Sequence, residues 1–161
     1  MNKTFVYKHI VYFNETNSMG GVVYFSNYVK WQGMVREAFL QNAVPGWKTI
    51  MREVMAGRVN MITAEEHSRF THHAFFGDEI TIKIYATEVH KLSFKIIFEM
   101  TKNSSSELIY TGWQKLAFDD FKGNFIPIPE ALLNAVLDYT PEAEVAKYKA
   151  TYSKEQLISD K

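Results

Sequence analysis

Asn17 and Arg36, in the first quarter of the chain, carry side chains able to act on a polar substrate atom. Asn17 offers a carbonyl acceptor and an NH2 donor, enough to hold a water or to donate to a polarised oxygen. In the turn-rich segment NETNSMGG it can equally serve the turn itself. Arg36 can bind a developing oxyanion, a carbonyl or a carboxylate as a charge-assisted donor. Its alternative is a buried pair with Glu65, Glu66 or Asp78. Gly20 and Gly21 precede a helical stretch, so the backbone N–H groups from Gly21 to Phe25 can polarise a carbonyl through their orientation and the helix dipole. The plainer reading of the two glycines is a tight turn. Tyr28, one turn into that stretch, can donate its hydroxyl or simply pack in the core. His67, His72 and His73 raise the question of a metal. On a strand His72 and His73 point to opposite faces, while His67 and His73 share one face six residues apart, a poor chelating spacing. No metal and no other cofactor is expected. Glu65 and Glu66 are the best acids should a carboxylate be used. The sequence holds no phosphate-binding Gly-Lys-Ser/Thr loop, dinucleotide fingerprint or Ser-centred elbow.

These residues need elements to position them. The run TFVYKHIVYF, 4–13, is β-branched and aromatic and reads as a strand, with NETNSMGG as the loop that follows. From Ser26, a candidate N-cap, to Ala43 the periodicity is helical. At roughly 100° per residue, Tyr28, Trp31, Val35, Ala38 and Phe39 form one apolar arc, and Lys30, Glu37 and Gln41 lie opposite. Arg36 falls on a flank with Val29 and Leu40, so the buried side of the helix contains a guanidinium. Pro45 to Gly57 carries the punctuation of a second, shorter helix. Arg58–His72, Glu79–His90, Leu92–Lys102 and Glu107–Asp119 read as four further strands, able to run as an antiparallel meander. A short helix starting at Pro129 follows, and residues 141–161 form a polar extension, peripheral or frayed, beyond a main unit spanning 1–140. The order predicts an α+β fold in which a five-stranded antiparallel sheet wraps around one long central helix.

Composition narrows the function classes. At 161 residues the chain makes one domain, and 47% hydrophobic with 22% charged residues is enough for a core and too polar for an embedded membrane protein. Eighteen basic against 18 acidic residues leave no electrostatic excess for nucleic acid. The absence of cysteine excludes thiol catalysis and disulfide scaffolds. The first residues are interrupted by Lys3, Lys8 and His9, and no long apolar run occurs, so a cytoplasmic protein is expected. The 12 Phe, 9 Tyr and 3 Trp suffice to line an apolar cavity.

The stretch HIVYFNETNSMGGVVYFSNYVKWQGMVREAF, residues 9–39, resembles the signature of hotdog-fold thioesterases of the 4-hydroxybenzoyl-CoA thioesterase type, and AFFGDEITIKI, 74–84, looks like that family's second landmark. Within the family, ETN followed by SNYVKWQGMVRE is most similar to the thioesterases that accompany enediyne and polyene polyketide synthases. The resemblance implies the hotdog fold and hydrolysis of an acyl thioester, polyene or 3-oxoacyl, from the phosphopantetheine arm of an acyl carrier protein. An acyl-CoA or aroyl-CoA substrate, or a noncatalytic acyl-binding module, are the alternatives. By the same resemblance Asn17, Arg36 and Tyr28 are catalytic, the backbone of Gly21, Val22 and Val23 forms the oxyanion site, and Tyr24, Asn27 and Trp31 contact substrate. Two departures stand out. The acid usual at the turn is Asn17 here, which favours the enediyne branch, and GGVVY holds one residue more than the common pattern. Exposed sheet edges and half a cleft per subunit imply a dimer or tetramer.

Overall fold

The computed structural model describes residues 3–17 and 19–159. Five strands, β1 (Phe5–Ile10), β2 (Asn60–Phe70), β3 (Glu79–Thr87), β4 (Ser93–Lys102) and β5 (Glu107–Asp119), form one antiparallel sheet in the order β1-β3-β4-β5-β2. The sheet curls around the central helix α1 (Ser26–Ala43), the arrangement expected of this sequence. A short helix α2 (Trp47–Met55), then α3 (Glu130–Asp138) and α4 (Glu142–Ser159), complete the fold.

Strict alternation builds the inner face of the sheet. Ile80, Ile82, Ile84 and Ala86 of β3 and Phe94, Ile96, Phe98 and Met100 of β4 are all buried, and the register sets Ile82 opposite Met100 and Ile84 opposite Phe98. Against this face α1 buries Tyr28, Trp31, Val35 and Phe39, four of the five residues of the expected arc, whereas Ala38 is only partly covered. Gln32 is the unexpected member, fully buried on the same side.

Several expected boundaries move for physical reasons. The first strand stops at Ile10, and a 3₁₀ turn over Phe13–Glu15 takes up the residues beyond. Ser26 is the first helical residue, not a cap. The chain enters α1 through turns in which Asn27 N donates to Tyr24 O and Tyr28 N to Phe25 O. Likewise α2 starts after Gly46, which holds the left-handed conformation, so Pro45 lies outside the helix. The expected four-strand meander is a meander of three. β2 crosses to the far edge and pairs with β5, with a bulge between Thr63 and Glu65. The return segment 71–78 must then traverse the end of the sheet, where Val22 bridges Phe75 and Val23 N donates to Ala74 O. The polar extension is mostly helix: Glu144 of α4 accepts from Thr87 Oγ1 and Glu88 N, anchoring it to the end of β3. Among the described residues no helix is long and apolar enough to cross a membrane.

Candidate active site

The N-terminal end of α1 is organised by a carboxylate. Glu15 is buried, its Oε2 accepting from His9 Nε2 and from the Tyr12 amide and its Oε1 from Trp31 Nε1, each at 2.8 Å. Its main-chain carbonyl accepts from Asn27 Nδ2 at 2.8 Å and from Tyr24 N at 3.0 Å. Burial works to raise the Glu15 pKa, but the bonds from Trp31, Tyr12 and His9 outweigh it and hold the carboxyl below its usual value. An ionised carboxylate only accepts, so His9 Nε2 carries the proton of their bond. Glu15 therefore fastens the 3₁₀ turn to the strand before it and to the helix after it.

Asn17 stands just beyond this clamp. Its backbone N donates to Val22 O at 2.7 Å, and its exposed side chain bonds to no described residue, leaving the amide free for a ligand. Gly20 and Gly21 both have positive φ, +80° and +65°, which gives the turn its tight path. Of the expected oxyanion amides, Val23 N is committed to Ala74 O at 2.9 Å and is not available, whereas Gly21 and Val22 have no backbone acceptor among the described residues. Two other expectations change. Trp31 is fully buried with its indole on Glu15, and Tyr28 is packed among Trp31, Phe70 and Tyr110 with its hydroxyl accepting from the Ala74 amide. Both are buried in the frame, and neither lines the cavity beside Arg36. Tyr24 is exposed beside Phe25, and Asn27 braces the Glu15 carbonyl.

Arg36 lies in a different setting. None of the three expected acids reaches it: Glu65 pairs with Lys115 at 3.1 Å, Asp78 with Lys102 at 3.2 Å, and Glu66 accepts from Ser68. Arg36 Nη1 donates to Gln114 Oε1 at 2.6 Å and to Thr63 Oγ1 at 3.1 Å, while Nε is buried with no acceptor among the described residues. Burial without a counter-ion pulls the guanidinium below its ordinary pKa, although it remains a cation at any working pH. Beside it opens a cavity of about 300 Å³, walled by Gly33, Phe39 and Leu40 of α1, Ile50 and Val54 of α2, and Phe94, Ile96, Leu116 and Phe118 of the sheet. Gly33 has open space where a Cβ would be, so the middle of α1 leaves room there.

A cation with unused donors at the wall of an apolar cavity can hold the polar end of a molecule whose chain the cavity takes. Behind Arg36 runs a line of buried amides and hydroxyls that the sequence reading missed. Gln114 Nε2 donates to Gln32 Oε1 at 2.5 Å, Gln32 Nε2 donates to Tyr110 OH at 2.6 Å, and Tyr110 OH lies 2.6 Å from Ser68 Oγ. Burial, with the Glu66 carboxylate nearby, pushes the Tyr110 hydroxyl up to about 12, so it stays protonated. Gln32 sits four residues before Arg36, one helical turn, and that spacing was the available signal. The three histidines go separate ways: His67 stacks on Trp113, His72 bonds Leu108 O, and His73 meets the edge of Phe75.

Comparisons with known proteins agree with this frame. The sequence profile of the thioesterase-like superfamily matches residues 11–136. No curated protein sequence matches the chain. Among solved structures, the dynemicin thioesterase, described with bound polyene, is similar at 26% identity and a TM-score of 0.78, over 86% of this chain and 99% of that one. A gentisyl-coenzyme A thioesterase shares 25% identity with a TM-score of 0.69, over 82% of this chain and 99% of its own. A 1,4-dihydroxy-2-naphthoyl-CoA thioesterase from Synechocystis, 20% identical with a TM-score of 0.77 over 84% and 97%, shares the fold.

Proposed function

The chain belongs to the thioesterase-like superfamily and is a thioester hydrolase, and from that premise we propose that it releases a polyene or 3-oxoacyl chain from the phosphopantetheine arm of an acyl carrier protein. The observation that carries the reading is Arg36, a cation without a carboxylate partner among the described residues, set against an apolar cavity of about 300 Å³. The acyl chain occupies the cavity and Arg36 meets the thioester oxygen, or the second carbonyl of a 3-oxoacyl group. As water attacks the carbonyl carbon, negative charge collects on that oxygen, and a donor already aimed at it stabilises the transition state more than the ground state. The C–S bond then breaks, the acid and the thiol are the products, and the water's proton is carried off with the departing thiolate. A thiol is acidic enough, at a pKa of about 8.5, to leave without a strong protein acid. Asn17 holds the water or the carbonyl through its neutral amide, with the Gly21 and Val22 amides as further donors. The likeness to the dynemicin thioesterase supports a polyene-type substrate.

Asn27, which braces the Asn17 turn, and Arg36 are nine residues apart on α1, about 14 Å along the axis at roughly 1.5 Å per residue. With that separation along α1, and with β2 presenting an open edge, we propose a homo-oligomer, dimer or tetramer, in which two copies complete each site. An aroyl-CoA or acyl-CoA substrate is the second reading, favoured by the likeness to the gentisyl-coenzyme A thioesterase. Single-turnover hydrolysis of one acyl chain presented on a carrier protein and on CoA separates the two. Faster release from the carrier protein is expected, and equal or faster turnover of CoA thioesters contradicts the carrier-protein assignment.

A further inference from the structure

We propose that Gln114, Gln32, Tyr110, Ser68 and Glu66 form a directed hydrogen-bond relay that positions Arg36 for the thioester oxygen, with the Glu66 carboxylate at the relay's far end as the counter-charge that Arg36 lacks in direct contact. The inference rests on the role given to Arg36 above and adds the residues that aim it.

The direction follows from the two ends. A guanidinium only donates, so Gln114 must turn its oxygen to Arg36 Nη1, at 2.6 Å, and its NH2 away from it. That NH2 meets Gln32 Oε1, which forces the Gln32 NH2 onto Tyr110 OH. The tyrosine hydroxyl, already accepting, donates its hydrogen bond to Ser68 Oγ at 2.6 Å, because Ser68 donates to Glu66. An ionised carboxylate only accepts, so every bond between the cation and the anion points the same way. Bonds aligned in such a chain polarise one another, more so where the amides are fully buried, as Gln32 and Gln114 are.

The backbone is shaped to let the chain through. Tyr110, Gly112 and Gln114 alternate along β5 onto the inner face of the sheet, and the register sets Ser68 opposite Gly112 and Glu66 opposite Gln114. A Cβ on Gly112 would lie 2.5 Å from Tyr110 OH, 2.9 Å from Gln32 Nε2 and 2.6 Å from His67 O. Glycine weakens a strand interior, and here it leaves open the place where the Gln32–Tyr110 bond crosses. A polar stripe in an apolar core gains nothing for packing that hydrophobic residues of the same size would not supply. What it does supply is a fixed Gln114 oxygen, which engages Arg36 through Nη1 without neutralising it and leaves Nε and Nη2 unbonded among the described residues.

Three variants and one spectroscopic signal test this. Gln32→Leu interrupts the relay, and kcat for a medium-chain acyl-CoA thioester should fall about tenfold, roughly what losing an outer orienting partner of a reacting group costs, with KM unchanged because the cavity is untouched. Gln114→Glu gives Arg36 a direct carboxylate. A merely structural role predicts equal or higher activity from the added ion pair, and the relay predicts a lower kcat in a protein that melts no earlier. Glu66→Gln, at an exposed position, should lower kcat by a few-fold. Independently of activity, the ring-carbon NMR signal of isotope-labelled Tyr110, assigned with Tyr110→Phe, should shift in Arg36→Ala even though Arg36 does not touch Tyr110. An unshifted Tyr110 signal together with wild-type kcat in folded Gln32→Leu and Gln114→Glu overturns the relay and leaves the hydrolase reading standing. Wild-type turnover in Arg36→Ala overturns the role of Arg36 itself, whatever the tyrosine signal does.

Discussion

Glu15, buried at the start of α1, and Arg36, half-buried in its second half, are treated in opposite ways. Glu15 receives three donors on its carboxylate and two on its carbonyl, and its oxygens have little left to offer. Arg36 is given two neutral acceptors on one nitrogen and keeps its others unbonded among the described residues, one of them buried. Buried polar groups are normally satisfied, so the first charge belongs to the architecture, and the second, left with donors to spare, is the one we propose for the substrate. The expected consequence is a division of labour, in which damage at Glu15 is felt in stability and damage at Arg36 in turnover.

The largest effect should come from emptying the satisfied site. Glu15→Ala strands the Trp31 indole, the His9 ring and the Tyr12 amide without their acceptor and should destabilise the fold by about 3 kcal/mol or more, read by chemical denaturation. A variant as stable as the native chain would break the comparison. Next in size is Asn17→Ala, beyond the clamp but not part of it. Turnover should drop by on the order of tenfold to a thousandfold while the melting temperature stays nearly constant. Native rates in that variant would return Asn17 to a turn role. The smallest effect is pH-dependent. Because the folded Glu15 pKa is depressed, its stabilisation is complete above the unfolded value, about 4.3, and is lost as pH falls through the folded value. Melting temperature plotted against pH should therefore decline below about pH 4, and Glu15→Gln should flatten that decline; an unchanged acid limb in the variant would contradict the shift.

The legibility of the two sites in the sequence differs for the same reason. Helix α1 is readable because its apolar residues recur at helical spacing, with Ser26 alone shifted from cap to first turn, and β5 is readable because its β-branched and aromatic run is bounded by NSSS and by the polar residues from Asp119 on. Asn17 and Arg36 were visible as polar residues in places that needed a reason. Glu15 is not legible as a buried residue, because one acid in a turn-rich segment gives no sign of burial until Trp31 and His9 converge on it. Gln32 and Gln114 were missed because an amide on an apolar helix face or an alternating strand reads as an exception to the pattern, and only the pairing of β2 with β5 brings their partners together. That pairing is a long-range choice between sheet edges, which local periodicity does not encode. The crossing of β2 to the far edge was lost with it.

Whether Arg36 is a cation reserved for the substrate is tested most directly by Arg36→Ala, measured in two ways. With no carboxylate bonded to Arg36 to be left buried alone, the variant should melt within a few degrees of the native protein, while single-turnover hydrolysis should fall by roughly a hundredfold or more, the worth of a preorganised donor to a developing oxyanion. Arg36→Lys should recover little of the loss, since an ammonium does not reproduce the planar fork. A strongly destabilised Arg36→Ala protein that still hydrolyses thioesters at the native rate would contradict the account.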